Sequence, residues 1–129
     1  MTALDTNIVV RLVLRDEPDQ LVRARALLEA EPCWVSETVL LETAWVLRSQ
    51  GGLSQLEIAR QLRLLLDLPT VTVIDEAAVR AALGDADAGM DLADAFHRAF
   101  AGPATRLVTF DRRFADTAAA RPGLPVDLL

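Results

Sequence analysis

Short apolar segments alternate with helix-length segments along the whole chain of 129 residues. The short segments are rich in β-branched residues, as in Val71–Ile74, and the longer ones carry apolar residues at helical spacing. Strands that alternate with helices in this way predict an α/β fold with a largely parallel sheet. We expect a small, mostly parallel sheet flanked by helices, in one domain over residues 1–129.

The segment boundaries follow from caps, glycines and prolines. Predicted strands end at Asp5 and cover residues 33–36, 71–74, 106–110 and 126–129, the last at an edge. Predicted helices begin near residue 6 and cover residues 18–30, 37–49, 54–67, 75–83, 90–101 and 112–120, with a loop over residues 84–89. Glu37–Asp67 is expected to form an αα-hairpin, whose apolar faces indicate either a dimer or partner surface or an enlarged core.

Acidic residues stand at the strand ends. Asp5 and Asp111 each follow an apolar strand directly, and side chains at the carboxyl ends of parallel strands face the ligand crevice. Asp5 fits a helix cap equally well. Glu42 lies mid-helix among apolar residues, where a carboxylate is costly unless it is paired or reaches solvent.

Two further acids, Asp91 and Asp94, begin a helix. Asp91 suits a helix cap and Asp94 a first-turn acid, although either could bind a metal ion. If the strands are parallel, all these acids can converge on one crevice, where they would repel each other and raise one another's pKa. Oxygen ligands of this kind suit Mg²⁺ or Mn²⁺, which could orient a phosphodiester and lower the pKa of a bound water.

The remaining candidate residues have ordinary structural explanations. His97 lies one turn from Asp94, but a packed or solvated histidine is the simpler interpretation, and Cys33 is expected in the core. Residues that flank the acids and could orient them or bound waters, or form turns and caps, are Thr6, Asn7 and Thr109. Candidates for holding phosphates, most of them expected to be solvated or paired, are Arg11, Arg15, Arg48, Arg98, Arg112 and Arg113.

Composition excludes several classes of protein. The net charge of −6 disfavours nucleic-acid binding through a basic face, unless metal ions offset the acids. All 13 basic residues are arginine, so the lysine that a P-loop needs is missing. A single cysteine excludes an intrachain disulfide, and neither a membrane-length apolar run nor a signal peptide is visible. We expect a cytoplasmic protein that does not enter the membrane.

Four motifs together resemble those of PIN-domain proteins, and in particular the VapC-type toxins of bacterial toxin–antitoxin pairs. They are Leu4-Asp5-Thr6-Asn7, Glu42 in its apolar helix, Asp91-Leu92-Ala93-Asp94-Ala95 and Thr109-Phe110-Asp111-Arg112-Arg113-Phe114. The resemblance implies a Mg²⁺- or Mn²⁺-dependent endoribonuclease, usually a homodimer, with a cognate antitoxin that blocks its groove. The catalytic, metal-binding acids that it implies are Asp5, Glu42, Asp94 and Asp111, with Asp91 as a further metal ligand.

Two alternatives stay open at this point. A catalytically silent PIN-like module would work by binding a partner, although it has no evident reason to keep clustered acids. A PIN nuclease could instead act on DNA. A short chain without an added nucleic-acid-binding domain favours a small RNA nuclease that reads groove shape.

Overall fold

The computed structural model describes residues 1–129 and confirms a helix-rich α/β fold with small parallel sheets. The strands are β1 (Thr2–Ala3), β2 (Cys33–Trp34), β3 (Val71–Thr72), β4 (Leu107–Thr109) and β5 (Val126–Leu128). The helices are α1 (Thr6–Leu14), α2 (Pro18–Ala30), α3 (Glu37–Ser49), α4 (Gln55–Leu66), α5 (Glu76–Asp87), α6 (Leu92–Ala99) and α7 (Arg112–Ala119).

The chain divides into two compact units, which are Met1–Glu76 (unit 1) and Ala77–Leu129 (unit 2). In unit 1 the strand order is β1-β2-β3 and all pairs are parallel, with Thr2 opposite Cys33 and Cys33 opposite Val71. In unit 2, β4 and β5 form a parallel pair with Leu107 opposite Val126. The strands are shorter than the sequence predicted. The single domain predicted over residues 1–129 stays a prediction.

Helix caps in unit 1 follow the sequence signals. The Ser36 hydroxyl accepts from the Val39 N–H at 3.2 Å and starts α3. The Ser54 hydroxyl accepts from the Glu57 N–H at 3.2 Å, as the capping box predicts for α4. Gly51 lies between the two helices of the hairpin, where a larger residue would not fit because its Cβ would lie 2.7 Å from the Leu47 carbonyl oxygen. The predicted αα-hairpin is therefore confirmed.

Each unit has its own apolar core. In unit 1 the largest buried side chains come from α1, β2, α3 and α4, and they include Val9, Val35, Leu40, Leu47, Ile58 and Leu62. In unit 2 they come from α5, α6 and α7, and they include Val79, Leu83, Phe96 and Phe114. Cys33 is buried as expected, and burial raises the pKa of its thiol, which makes it unreactive.

The loop predicted over residues 84–89 is wrong, since α5 continues to Asp87. Gly84 does not end the helix, because the next residue, Asp85, is buried and binds two arginines. Its carboxylate accepts from Arg98 at 3.0 Å and from Arg121 at 2.9 Å. These two ion pairs hold the added turn in place.

Candidate metal and active site

Asp5 follows β1 and stands at the N-cap position of α1, as predicted. Its backbone carbonyl accepts from the Ile8 N–H at 3.0 Å, but its carboxylate makes no cap hydrogen bond. The Asp5 side chain is exposed and has no hydrogen-bond or ion-pair partner in the chain. Asp5 therefore occupies a capping position without using its carboxylate as a cap, which leaves both oxygens available to a ligand.

Glu42 lies in the middle of α3 and is exposed. Its apolar neighbour Trp45, one turn away, is itself 64% exposed. This face of α3 therefore meets solvent, as one of the two interpretations of Glu42 expected, and burial imposes little cost on the carboxylate. Its side chain forms no bond within the chain, so a ligand role for Glu42 stays a prediction.

Asp91 caps α6. One of its carboxylate oxygens accepts from the N–H of Ala93 at 2.9 Å and from that of Asp94 at 3.3 Å. The cap interpretation of Asp91 is thus confirmed, and any role as a metal ligand would be additional to it.

Asp94, the third residue of α6, is part-buried, and its carboxylate accepts no hydrogen bond. Burial raises the pKa of Asp94, and the negative charges of Asp91 and Asp111 raise it further. The exposed His97 acts in the opposite direction. Three acids of unit 2 are therefore close enough to interact through their charges, and Asp94 is the one most affected.

Asp111 follows β4 and caps α7, with one carboxylate oxygen accepting from the Phe114 N–H at 3.1 Å. The Thr109 hydroxyl accepts from the Asp111 N–H at 3.0 Å, which is the turn role that the sequence allowed for Thr109. The Thr109 turn and the Asp111 cap together fix the position of Asp111 after β4.

The two residues that follow Asp5 differ in burial. Thr6 is buried in α1, and Asn7 is exposed.

The donor chemistry in unit 2 fits a hard divalent cation, because Asp91, Asp94 and Asp111 offer only oxygen ligands and repel one another. No group of three or more His, Cys, Asp or Glu side chains in the structure is arranged so that it could hold a metal ion. The charges of Asp91 and Asp111 therefore act on Asp94, but the oxygens of these acids are not arranged as the ligands of one ion.

The arginines that were candidates for holding phosphates differ in their surroundings. Arg11 binds the Asp16 carboxylate at 2.7 and 3.0 Å, and this hydrogen bond lowers the pKa of Asp16. Arg15 ends α1 in the left-handed conformation, with φ of 56°. Arg112 and Arg113 are exposed and have no ion pair. Of the six candidates, these last two lie next to a predicted site acid and are free to bind an anion.

Arg98, another of the six candidates for holding a phosphate, is only 5% exposed and is paired with the buried Asp85. Besides Asp85, its guanidinium donates to the carbonyl oxygens of Leu124 at 2.8 Å, Arg121 at 3.2 Å and Ala118 at 3.4 Å. The Arg98 guanidinium therefore stabilises the fold, because its loss would leave several buried polar groups without a hydrogen-bond partner.

Helical spacing does not reveal this burial. Arg98 lies three residues after the buried Ala95 but six after the buried Leu92, a spacing that places Leu92 and Arg98 on different sides of the helix. The buried Thr43 was also missed, and its hydroxyl has no hydrogen-bond partner. No sequence pattern indicates a buried threonine of that kind.

A model of the PIN domain family matches residues 2–120. Because this match covers most of the 129 residues, the chain belongs to the PIN domain family. PIN domains are generally metal-dependent nucleases, so the chain has a nuclease fold. No curated protein matches the chain significantly. No helix combines the length and apolar character that a membrane span requires.

Proposed function

We propose that the chain is a metal-dependent endoribonuclease, and that it is the toxin of a toxin–antitoxin pair. Its catalytic carboxylates are Asp5, Glu42, Asp94 and Asp111. The observation that carries the proposal is the state of Asp94, which is part-buried, accepts no hydrogen bond and is opposed by two neighbouring acids. A divalent cation would offset that repulsion.

The carboxylates have distinct parts in the proposed reaction. In unit 2, Asp94 and Asp111, with the helix-capping Asp91, would serve as ligands of Mg²⁺ or Mn²⁺, and in unit 1 the unbonded Asp5 and Glu42 would serve as metal ligands or orient a water. When bound, the ion supplies a Lewis acid for the phosphodiester and lowers the pKa of a water. The chain then needs no nucleophile of its own, which agrees with its buried, unreactive Cys33.

RNA is the substrate that we favour over DNA. The chain carries a formal charge of −6, so it lacks the general attraction for phosphates that a basic protein uses. Such a nuclease depends on local features of its substrate, and unpaired or structured RNA offers more of these than a DNA duplex. Parallel digestions of RNA and of DNA of the same sequence distinguish the two substrates.

A cleft in unit 1 supports the proposal of a protein antitoxin. It has a volume of about 480 Å³, and its apolar lining includes Leu12, Leu28, Leu64 and Leu68. Arg15 and Arg25 also line it, and neither guanidinium has an ion pair. An amphipathic antitoxin segment with acidic residues beside an apolar face would fit this cleft.

We also propose a homodimer that forms through the α3–α4 hairpin. Trp45 on α3 and Leu56 on α4 are large apolar side chains that stay more than half exposed. Exposed apolar residues of this size on one hairpin are typical of a protein interface. Sedimentation of the parent and of a Trp45→Glu variant tests this assignment, because a charge in the interface would yield monomers.

A silent partner-binding module is the second candidate function. It is favoured by one observation, namely that Asp91 and Asp111 both cap helices and so have structural reasons to be acidic. Asp5 and Glu42 have no such structural use, since neither carboxylate is bonded within the chain. That difference favours the nuclease.

The deciding experiment is digestion of labelled RNA by the purified chain with Mn²⁺, with a chelator, and with Asp5→Asn. We expect cutting with Mn²⁺, none with the chelator, and a loss of about a hundredfold or more in Asp5→Asn. Circular dichroism should show an unchanged fold, because Asp5 makes no side-chain hydrogen bond.

Asp19→Asn is the matched control, because Asp19 is an exposed acid in the first turn of α2. It should cut at the parent's rate. Equal rates for the parent and Asp5→Asn, in preparations of matched purity, would show that the activity belongs to a contaminant or that the site is wrong.

A further inference from the structure

Phe110 is the most exposed large apolar residue of the chain, with 81% of its surface accessible. It lies between the last residue of β4 and Asp111. The hydrogen bond from the Asp111 N–H to the Thr109 hydroxyl spans Phe110 and closes the turn that presents it. Its ring contacts no other aromatic ring, since the one ring pair in the structure joins Phe96 and Phe100. The turn therefore holds an aromatic side chain out into solvent.

The residues that follow add positive charge beside the ring. Arg112 and Arg113 are the first two residues of α7, and both are exposed without an ion pair. Cations are unfavourable in the first turn of a helix, because the helix dipole is positive there. Helix stability thus does not explain these two arginines, just as core packing does not explain Phe110.

We propose that Phe110, Arg112 and Arg113 form a binding surface for single-stranded RNA beside the catalytic Asp111. A base stacks on the Phe110 ring, and the two guanidinium groups bind the neighbouring phosphates. This inference rests on the proposed function and adds to it that the nucleotide next to the cut is unpaired.

Stacking determines this specificity, because both faces of a base in a duplex are already covered by its neighbours. An aromatic ring can therefore take only a base that is unstacked. Exposed aromatics beside arginines are the usual combination in proteins that bind single strands without strict sequence preference.

The experiment measures the binding of a fluorescent single-stranded oligoribonucleotide and of the matching RNA duplex, in an Asp5→Asn background that does not cut. Phe110→Leu keeps an apolar side chain but removes the aromatic face, and Phe110→Trp keeps such a face. We expect Phe110→Leu to bind the single strand on the order of tenfold more weakly. Phe110→Trp should bind it like Phe110, and the duplex affinity should be equal in all three.

The arginines are tested through the salt dependence of the same binding. Arg112→Gln and Arg113→Gln should each weaken the salt dependence. The negative slope of log K against log salt should become smaller in magnitude by about 0.7, the value for one phosphate contact with a single strand. Arg60→Gln, which changes an exposed arginine of α4, is the charge control and should leave the slope unchanged. Val22→Ala is the control for loss of an exposed apolar side chain, because Val22 on α2 is 66% exposed.

Three results would overturn the proposal. One is equal single-strand binding by Phe110→Leu and Phe110→Trp. Another is a change in Mn²⁺ affinity in Phe110→Leu, which would assign Phe110 to the placement of Asp111. The third is a change in sedimentation alone, which would assign the surface to a second copy of the chain. If the Asp5→Asn parent binds no RNA, the proposed function itself fails.

Discussion

The candidate acids of the two units differ in their bonding, since two of the three in unit 2 cap helices and those of unit 1 make no side-chain bond. In unit 2, Asp85 and Arg98 are buried and fully engaged, and Asp91 and Asp111 cap helices. In unit 1, the carboxylates of Asp5 and Glu42 make no bond within the chain, and the buried Thr43 hydroxyl has no partner. The same local pattern, a strand followed by aspartate, thus gives a working cap at Asp111 and an unused carboxylate at Asp5.

This difference separates stability from function. Acids that cap helices would be favoured in any protein with these helices, whatever its activity. Asp5 and Glu42 contribute no such bond, so the role proposed for them is binding of the metal ion or of a water. Changes in unit 2 should therefore alter both folding and cutting, whereas changes of the unit 1 acids should alter cutting alone.

The largest effect on stability is expected from Arg98→Leu. This change leaves Asp85 with one partner fewer and removes the donors to three carbonyl oxygens, so it should lower the free energy of unfolding by about 3–5 kcal/mol. Urea denaturation measures the loss. Arg106→Leu is the control, because Arg106 pairs with Asp127 at an exposed site and should cost less than about 1 kcal/mol. Similar midpoints for the two variants would contradict the structural role of Arg98.

Asp5→Ala and Asp111→Ala, which change the two strand-end aspartates, should lower the stability of the fold by different amounts. Asp111→Ala removes a cap and should cost about 1 kcal/mol of stability, whereas Asp111→Asn keeps a capping side chain and should cost much less. Asp5→Ala should cost about 0.5 kcal/mol or less, since no cap hydrogen bond is lost. All three variants should lose metal-dependent cutting. A cost for Asp5→Ala as large as that for Asp111→Ala would remove the contrast between the units.

Thr43 offers a stabilising change in unit 1. Its hydroxyl is buried without a partner, so Thr43→Val, which has nearly the same shape, should raise the free energy of unfolding by about 1 kcal/mol. Thermal denaturation followed by circular dichroism measures the gain. Thr43→Ser keeps the hydroxyl and loses a methyl group, so it should be less stable than the parent. A loss of stability in Thr43→Val would mean that the hydroxyl has a partner after all.

Asp94→Asn should stabilise the fold at neutral pH while it abolishes cutting. Since the pKa of Asp94 is raised in the folded chain, ionisation costs the folded state more than the unfolded one. The cost of ionising Asp94 is absent below about pH 3.9, the ordinary pKa of aspartate. It grows as the pH rises from there through the raised pKa of Asp94 in the folded chain. The gain in Tm should thus be seen at about pH 7 and should shrink toward about pH 4. A gain that does not change with pH would contradict this cause.

Sequence periodicity and caps predicted most of the fold because they are local signals. The bounds of α2 and α3, the capping box at Ser54 and the strand ends before Asp5 and Asp111 all depend on a few adjacent residues. The burial of Arg98 and the added turn of α5 depend on an ion pair 13 residues apart in sequence. No local pattern encodes such a pair, so a glycine at position 84 predicted a helix end that the structure does not have.

The sequence identified the candidate residues of the site, but it could not predict the exposure or the hydrogen bonding of each side chain. The sequence indicated which acids follow strands and begin helices. It could not show that Glu42 lies on an exposed face, that Asp94 lacks a hydrogen bond, or that Phe110 projects into solvent. Each of these depends on what the rest of the chain leaves uncovered, which is a property of the packed structure.

Calorimetric titration with Mn²⁺, with no RNA present, tests the central claim most directly, because it asks whether these acids bind the ion at all. The parent should bind Mn²⁺, Asp94→Asn should bind it about tenfold more weakly or not at all, and Asp116→Asn, an exposed acid of α7, should match the parent. A parent that releases no binding heat, or an Asp94→Asn variant that binds as tightly as the parent, would contradict the account.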